Sequence, residues 1–197
     1  MPDNDFYSYT DSALRYLRRY FVREFNKTSA KIRIDSLNII QKTTDLYDRL
    51  YAETIRVFLT IARSKYRSCM GTDTVEVAWL MVLLETANPL TGYAFMNDKD
   101  RKRQYYTEAI MSGGDVPKET QKAMRYLYGS VKQYADLVTD EAAVKAFSDN
   151  GVQFVKWRTA HDERVCSECG PRDGRIYPLK YVPVKPHYGC RCYLVGV

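Results

Sequence analysis

The chain has 197 residues, of which 45% are hydrophobic and 27% charged, and its formal net charge is +6. These values are ordinary for a soluble globular protein of one or two domains. No apolar run approaches the roughly 20 residues that a membrane-spanning helix needs, and the polar, acidic residues 1–5 are unlike a secretory signal. Five cysteines, an odd number, argue against a disulfide framework and for synthesis in a reducing cytosol.

The first half of the chain predicts three helices. Capping residues at 10–12 begin the first helix, whose apolar face carries Leu14, Leu17, Phe21 and Phe25. The second covers about residues 36–67, and its apolar stripe comprises Leu37, Ile40, Tyr47, Leu50, Tyr51, Thr54, Val57, Phe58 and Ile61. The third, over 74–87, is apolar nearly all round, which is typical of a core helix or an assembly interface.

Three further helices complete the predicted helical part. A charged helix over 98–111 stops at a glycine pair, and a helix that starts near Pro117 runs to about Val138. A short last helix begins at Thr139 and ends at 150–151. The character of the chain then changes, because 152–157 and 175–177 follow strand patterns.

Cysteine and histidine residues of the tail are spaced like the ligands of a zinc site. Two residues separate Cys166 from Cys169, and the motif His187-x-x-Cys190-x-Cys192 follows later. Two such turns supply soft ligands for tetrahedral zinc, so we predict ligation by Cys166, Cys169, His187 and Cys190. Cys192 is only the alternative ligand. In an extended segment we expect its side chain to point away from the site. A complete ligand set is typical of structural zinc, and unligated thiols or a redox pair are the alternatives.

The sequence therefore predicts an α+β protein with two domains. Residues 1–150 form a mainly helical domain, and residues 151–197 form a small zinc-stabilised module of strands and loops.

Two enzymatic interpretations of the tail are weaker. His161 and Glu163 ahead of Cys166 resemble part of the zinc deaminase signature, but the intervening strand and the proline are absent. A nuclease of the His-Asn-His type needs a general-base histidine, and His161 alone remains once His187 is assigned to zinc. We therefore expect no enzymatic activity.

One face of the first helix is strongly basic and carries Arg15, Arg18, Arg19, Arg23 and Lys27. A charged row opposite an apolar stripe is usually a solvated surface. Contact with DNA phosphates is the sharper alternative, and it makes a zinc-stabilised DNA-binding module the second functional hypothesis.

The tail also resembles a known family in its motifs, which comprise Trp157, Thr159, Asp162, Arg164, Val165, Cys166, Cys169, Asp173, Gly174, Tyr177, Pro186, His187, Cys190, Arg191 and Cys192. This pattern resembles the Mu F-like family of tailed bacteriophages, also called minor head or head morphogenesis proteins. Upstream segments at 88–93, 101–103, 108–109 and 134–136 are similar to that family too, so the resemblance covers about residues 85–197.

The resemblance implies a non-enzymatic minor capsid protein that associates with the portal inside the head and assists head assembly, DNA packaging and DNA ejection. The helical domain would contact the portal protein and the major capsid or scaffolding protein. The implied location is the virion after synthesis in the host cytoplasm, with packaged DNA nearby and no membrane. Some relatives carry a further C-terminal toxin or transferase domain, which we do not expect here, because the chain ends five residues after Cys192.

Overall fold

Five α-helices precede a small sheet in the computed structural model, which describes residues 6–71, 78–88, 92–160, 165–187 and 189–197. The helices are α1 (Ser8–Ile34), α2 (Ile39–Met70), α3 (Ala78–Glu85), α4 (Asp98–Met111) and α5 (Val116–Asp149). The strands are β1 (Phe154–Arg158), β2 (Ile176–Pro178) and β3 (Tyr193–Gly196). The predicted α+β class, with a mainly helical body and a C-terminal sheet, is confirmed.

The long helices α1, α2 and α5 pack against one another, and α4 packs on α2 and α5. Each long helix turns an apolar stripe inward, because its large apolar residues recur every three or four positions. Side chains with no exposed surface at this junction include Leu17, Phe21, Phe25, Leu46, Leu50, Phe58, Val131, Ala135 and Val138. This junction forms the larger of two hydrophobic cores.

Aromatic rings connect α2, α5 and the segment that leads into α4. The ring centroid of Phe95 lies 4.7 Å from that of Tyr51, 5.4 Å from that of Phe58 and 5.1 Å from that of Tyr134. The Tyr134 hydroxyl donates to the carbonyl oxygen of Tyr93 at 2.6 Å. Stacked and tilted rings therefore hold the segment that leads into α4 against α2 and α5.

The predicted stripe of α2 is confirmed from Tyr47 onward but is wrong at its start. Leu37 is 71% exposed and Ile40 is 55% exposed. The reason is a break in the backbone, since Asn38 adopts a left-handed conformation with φ of 56° and α2 begins only after it. The first turn of α2 thus reaches beyond the core.

The predicted break at Thr139 is also wrong, because α5 continues without interruption from Val116 to Asp149. Thr139 does not cap a new helix. Its hydroxyl contacts the carbonyl oxygen of Ala135 at 2.7 Å, one turn back in the same helix. It also lies 2.7 Å from the Thr10 hydroxyl of α1, so the polar group is satisfied inside the core.

Helix α3 combines a buried and an open apolar side. Leu80 and Leu84 are fully buried, whereas Val82 is 64% exposed. The predicted residues 74–77 lie outside the part of the chain that the structure describes. By contrast, α4 has the predicted bounds, since its acidic first turn and the glycine pair beyond it mark both ends.

In the sheet, β1 is the central strand and runs antiparallel to both β2 and β3. The strand predicted over 152–157 is observed from Phe154 onward, with Val155 and Trp157 buried on one face. Phe154 belongs to the predicted apolar run but is 47% exposed. β3 is not predicted, because four residues are too few to show a periodic pattern. The division into domains 1–150 and 151–197 stays a prediction.

Candidate metal centre

The first pair of candidate ligands lies on a tight turn beyond β1. The backbone amides of Cys169 and Gly170 both donate to the carbonyl oxygen of Cys166, at 3.1 and 3.0 Å. A single 3-10 turn, Gly170–Arg172, follows directly. The turn brings the side chains of Cys166 and Cys169 to the same side, as a chelating pair requires.

The second set of candidate ligands lies on the loop that leads into β3. Gly189, directly before Cys190, has φ of 70°, a left-handed conformation that favours glycine. Cys192 follows immediately before Tyr193, the first residue of β3. The antiparallel pairing of β3 with β1 therefore delivers this loop to the turn at Cys166.

The sulfur and nitrogen atoms of these residues form one cluster with two overlapping groups. Cys166, Cys169 and His187 form the first, and Cys169, Cys190 and Cys192 form the second; within each group the ligand atoms lie within 4.8 Å of one another. The Sγ atoms of Cys169 and Cys190 are 3.5 Å apart. Tetrahedral zinc with thiolate ligands places its sulfurs about 3.8 Å apart, so the cluster could hold a metal ion.

All five side chains named from the sequence are brought together, including Cys192. The expectation that Cys192 points away holds only for an extended segment, and the chain becomes a strand only from Tyr193 onward. Cys169 belongs to both groups and is 1% exposed. Five candidate ligands thus converge where a tetrahedral ion needs four, and which four bind stays a prediction.

The thiols differ sharply in acidity. A hydrogen bond from Cys192 and the nearby ammonium of Lys185 lower the pKa of Cys190 to about 5. The same hydrogen bond raises the pKa of Cys192, and burial raises the pKa of Cys169 to about 12. Burial opposes ionisation of Cys166 too, but hydrogen bonds with Cys169 leave its pKa below the usual value. Neighbouring sulfurs therefore share protons, and a divalent cation would allow all of them to ionise.

A second, smaller hydrophobic core surrounds the sulfurs. Trp157 of β1, 2% exposed, packs with the buried cysteines, and Val165, Tyr177, Val182 and Leu194 close the cluster. The guanidinium carbon of Arg172 lies 5.3 Å from the centroid of the Trp157 ring. Apolar walls of this kind exclude water and strengthen metal–ligand electrostatics.

A polar contact that the sequence does not reveal joins the ligand loop, residues 185–192, to the helical body. The ammonium of Lys185 lies 2.7 Å from Oδ2 of Asp140 on α5 and 3.4 Å from the carbonyl oxygen of Cys190. The Tyr7 hydroxyl donates to Oδ1 of Asp140 at 2.6 Å, and the Lys185 ammonium donates to the same hydroxyl. Burial, followed by the charge of Asp140, raises the pKa of Tyr7 well above its ordinary value. We call these three residues the Tyr7–Asp140–Lys185 cluster.

The start of the described chain is held at the same junction. The Phe6 ring lies 5.1 Å from that of Tyr193, and Lys65 of α2 donates to the carbonyl oxygen of Phe6 at 3.2 Å. The Lys65 ammonium also lies 3.0 Å from the centroid of the Phe6 ring. No local pattern could signal these contacts, because Phe6 is 59 positions from Lys65 and still farther from Tyr193.

The basic residues of α1 are all exposed, as predicted for Arg15, Arg18, Arg19, Arg23 and Lys27. Arg23 is paired with Glu24 at 3.1 Å, and Arg15 donates to the Ser12 hydroxyl at 2.8 Å. The deaminase and nuclease hypotheses both need His161, which lies outside the described residues. None of the described helices combines the length and apolarity needed to cross a bilayer.

Loss of one metal ligand is expected to unfold the tail and to leave the helices largely intact, because the helical body has its own core. Cys166→Ser and Cys190→Ser should each lower the metal content of the purified protein, measured by elemental analysis, while far-UV circular dichroism keeps its helical signal. Cys69→Ser, on α2 outside the cluster, is the matched control and should keep the metal. Loss of the helical signal together with the metal would contradict this two-part description.

Removal of the Lys185 ammonium is expected to destabilise the protein. Lys185→Met leaves the carboxylate of Asp140, which is only 20% exposed, with the Tyr7 hydroxyl but without its cation. We expect a loss of about 2 kcal/mol in the free energy of unfolding. Lys180→Met, at an exposed position on the same loop, should change it by less than about 0.5 kcal/mol. Chemical denaturation measures both, and equal effects would sink the idea that the ion pair holds the loop.

Comparison of the chain with protein-family models, curated proteins and solved structures found no match in any of the three. The functional argument therefore rests on the residues and geometry of this chain.

Proposed function

We propose that this chain is a minor head protein of a tailed bacteriophage, a structural component that binds the portal inside the head. In this role it assists head assembly and the packaging and ejection of DNA, and it performs no catalysis. The proposal starts from the family resemblance of the tail motifs, whose cysteines and His187 are the residues that the fold gathers into one cluster.

The single observation that carries the structural role is the surplus of soft ligands around Cys169. This thiol belongs to two overlapping groups of three ligand atoms, so an ion bound by either group has a further thiol or imidazole nearby to fill its fourth position in place of water or substrate. Catalytic zinc keeps such a position, whereas structural zinc does not. Thiolate and imidazole ligands in tetrahedral spacing favour zinc over magnesium or calcium, which prefer oxygen ligands.

The surface of the helical body supports an assembly role. Large apolar and aromatic side chains with about half or more of their surface exposed include Val82, Tyr93, Tyr105 and Tyr126. Tyrosine is enriched at protein interfaces, because its ring is buried on binding while its hydroxyl finds a polar partner. A ring of portal subunits offers the kind of extended protein surface that such side chains would cover.

Native mass spectrometry of the chain co-expressed with the portal protein of its own genome tests this function. We expect a stable complex with one zinc ion per copy of this chain. The Cys190→Ser variant should carry less zinc and still bind the portal, because the helical domain is the proposed contact. A chain that stays free of portal, together with procapsids that lack it, would refute the proposal.

A DNA-binding role is the second candidate, and one observation favours it. Arg18, Arg19 and Lys27 are exposed on α1 and make no ion pair with any described residue. Exposed cations along a helix can contact a phosphate backbone without sequence preference.

Salt-dependent binding to duplex DNA separates this candidate from a merely solvated surface. The wild-type chain is expected to lose affinity steeply as salt rises, and the triple variant Arg18→Gln/Arg19→Gln/Lys27→Gln should lower the slope by about one unit per lost phosphate contact. Lys118→Gln/Lys180→Gln, which removes exposed cations elsewhere, is the control. Negligible binding at low salt would eliminate this role.

A further inference from the structure

A cavity of about 380 Å³ lies where the tail meets the helical body. One wall is the C-terminal half of α5, and another is the loop between β2 and Cys190. Phe6, the end of α3, Trp157 of β1 and residues 192–194 also line it. Its volume falls in the range of small-molecule sites. Its walls are mainly apolar and include Leu83, Leu137, Val144, Leu179, Val182 and Leu194.

Acidic side chains of α5 interrupt these apolar walls. Asp136, Asp140 and Glu141 all line the cavity. Asp140 is paired with Lys185. Asp136 and Glu141, in contrast, have no hydrogen bond or ion pair with any described residue, and each is only partly exposed to solvent.

The electrostatics of the two unpaired acids follow from this setting. Burial, and next the charge of Asp140, raise the pKa of Asp136 to about 7. The same two causes, in the same order, raise the pKa of Glu141. An unpaired carboxylate in apolar surroundings is costly, and a cation placed beside it would recover that cost.

An unsatisfied donor in the cavity wall is a separate observation. Trp157 is 2% exposed and lines the cavity, and its indole Nε1 is buried without a hydrogen-bond acceptor among the described residues. Buried indole N–H groups usually have an acceptor. The Nε1 atom is enclosed and an ammonium group offers it no acceptor, so Trp157 contributes wall surface and a spectroscopic reporter. The two unpaired carboxyl groups on the wall of an apolar cavity are the observation that points to a cationic occupant.

We propose that this cavity binds an aliphatic cation, with its ammonium group at Asp136 and Glu141 and its hydrocarbon part against the leucine and valine walls. Lys185 does not fill this role, because its ammonium is engaged by Asp140 and Tyr7. Lys180, which also contributes to the lining, is exposed and pairs with no described acid. Either a free alkylamine or the lysine side chain of a partner protein has the required chemistry.

A matched series of six-carbon probes tests the proposal on the full, zinc-loaded chain. Hexylamine, hexan-1-ol and hexanoate share the apolar body and differ in the end group. At pH 8 the carboxyl group of Asp136 is ionised, since this pH lies above its pKa. The indole NH signal of Trp157 in a two-dimensional NMR spectrum reports binding, and a Trp79→Phe variant assigns which of the two indole signals belongs to it.

We expect saturable binding of hexylamine, at least tenfold tighter than that of hexan-1-ol, and no saturation with hexanoate. Asp136→Asn should weaken hexylamine at least tenfold and leave hexan-1-ol unchanged. Glu141→Gln provides a second variant of the same design, and Glu108→Gln, exposed on α4, is the control that should change nothing. Equal affinity for hexylamine and hexan-1-ol, absence of saturation with the amine, or an unaltered amine affinity in both acid variants would overturn the proposal.

One further probe identifies the source of the cation. N-acetyl-lysine methylamide presents the same ammonium on a peptide backbone. Tighter binding of this probe than of hexylamine assigns the site to a lysine of a partner protein, and the reverse order assigns it to a free amine. The cavity proposal does not depend on the phage-head function, because both experiments use the isolated chain.

Discussion

The C-terminal module is too small to be held by apolar burial alone, and its architecture follows from that constraint. Its three strands have five, three and four residues, and its hydrophobic cluster is built around one tryptophan and three buried cysteines. A sheet of this size gains little from strand pairing and needs another source of stability. The converging thiols and His187 offer a metal clip, and the contact with α5 offers a second support.

These two supports meet at the same loop. Lys185 lies between Asp140 of α5 and the carbonyl oxygen of Cys190, so one ammonium contacts both the helical body and the ligand loop. Because Tyr7 also bonds to Asp140, the start of α1 joins the same network. Order in the ligand loop is therefore linked to the packing of the helices, although the two hydrophobic cores are separate.

Sequence patterns predict the parts of this protein that depend on local chemistry. The bounds of α4 follow from an acidic first turn and a glycine pair, and the candidate ligands follow from the spacing of Cys166, Cys169, His187 and Cys190. The break assigned to Thr139 fails, because a threonine hydroxyl can bond back to its own helix as well as cap a new one. Thr54 and Thr60 of α2 bond back to their own helix in the same way, so a threonine hydroxyl does not by itself mark the start of a helix.

Contacts between distant residues explain the rest of what the sequence conceals. Lys185 and Tyr7 are 178 positions apart, and no periodicity links them. The cavity beside α5 is equally invisible, because its walls come from α3, α5 and the tail together. In the sequence Asp136 is an ordinary polar residue of a helix, and only the packing of the tail against α5 places it on a cavity wall.

The contact between Phe6 and Tyr193 has a consequence for the order of folding. Its two rings lie 5.1 Å apart in space yet belong to nearly opposite ends of the chain. Contacts with such sequence separation form late, since the intervening chain must already be compact. During synthesis the helical bundle can therefore assemble while the flank of α5 that carries Leu137 and Val144 is still uncovered. Until Cys192 has left the ribosome, that flank can bind a chaperone or another subunit. Once the tail packs against α5, the flank is covered and can no longer bind them.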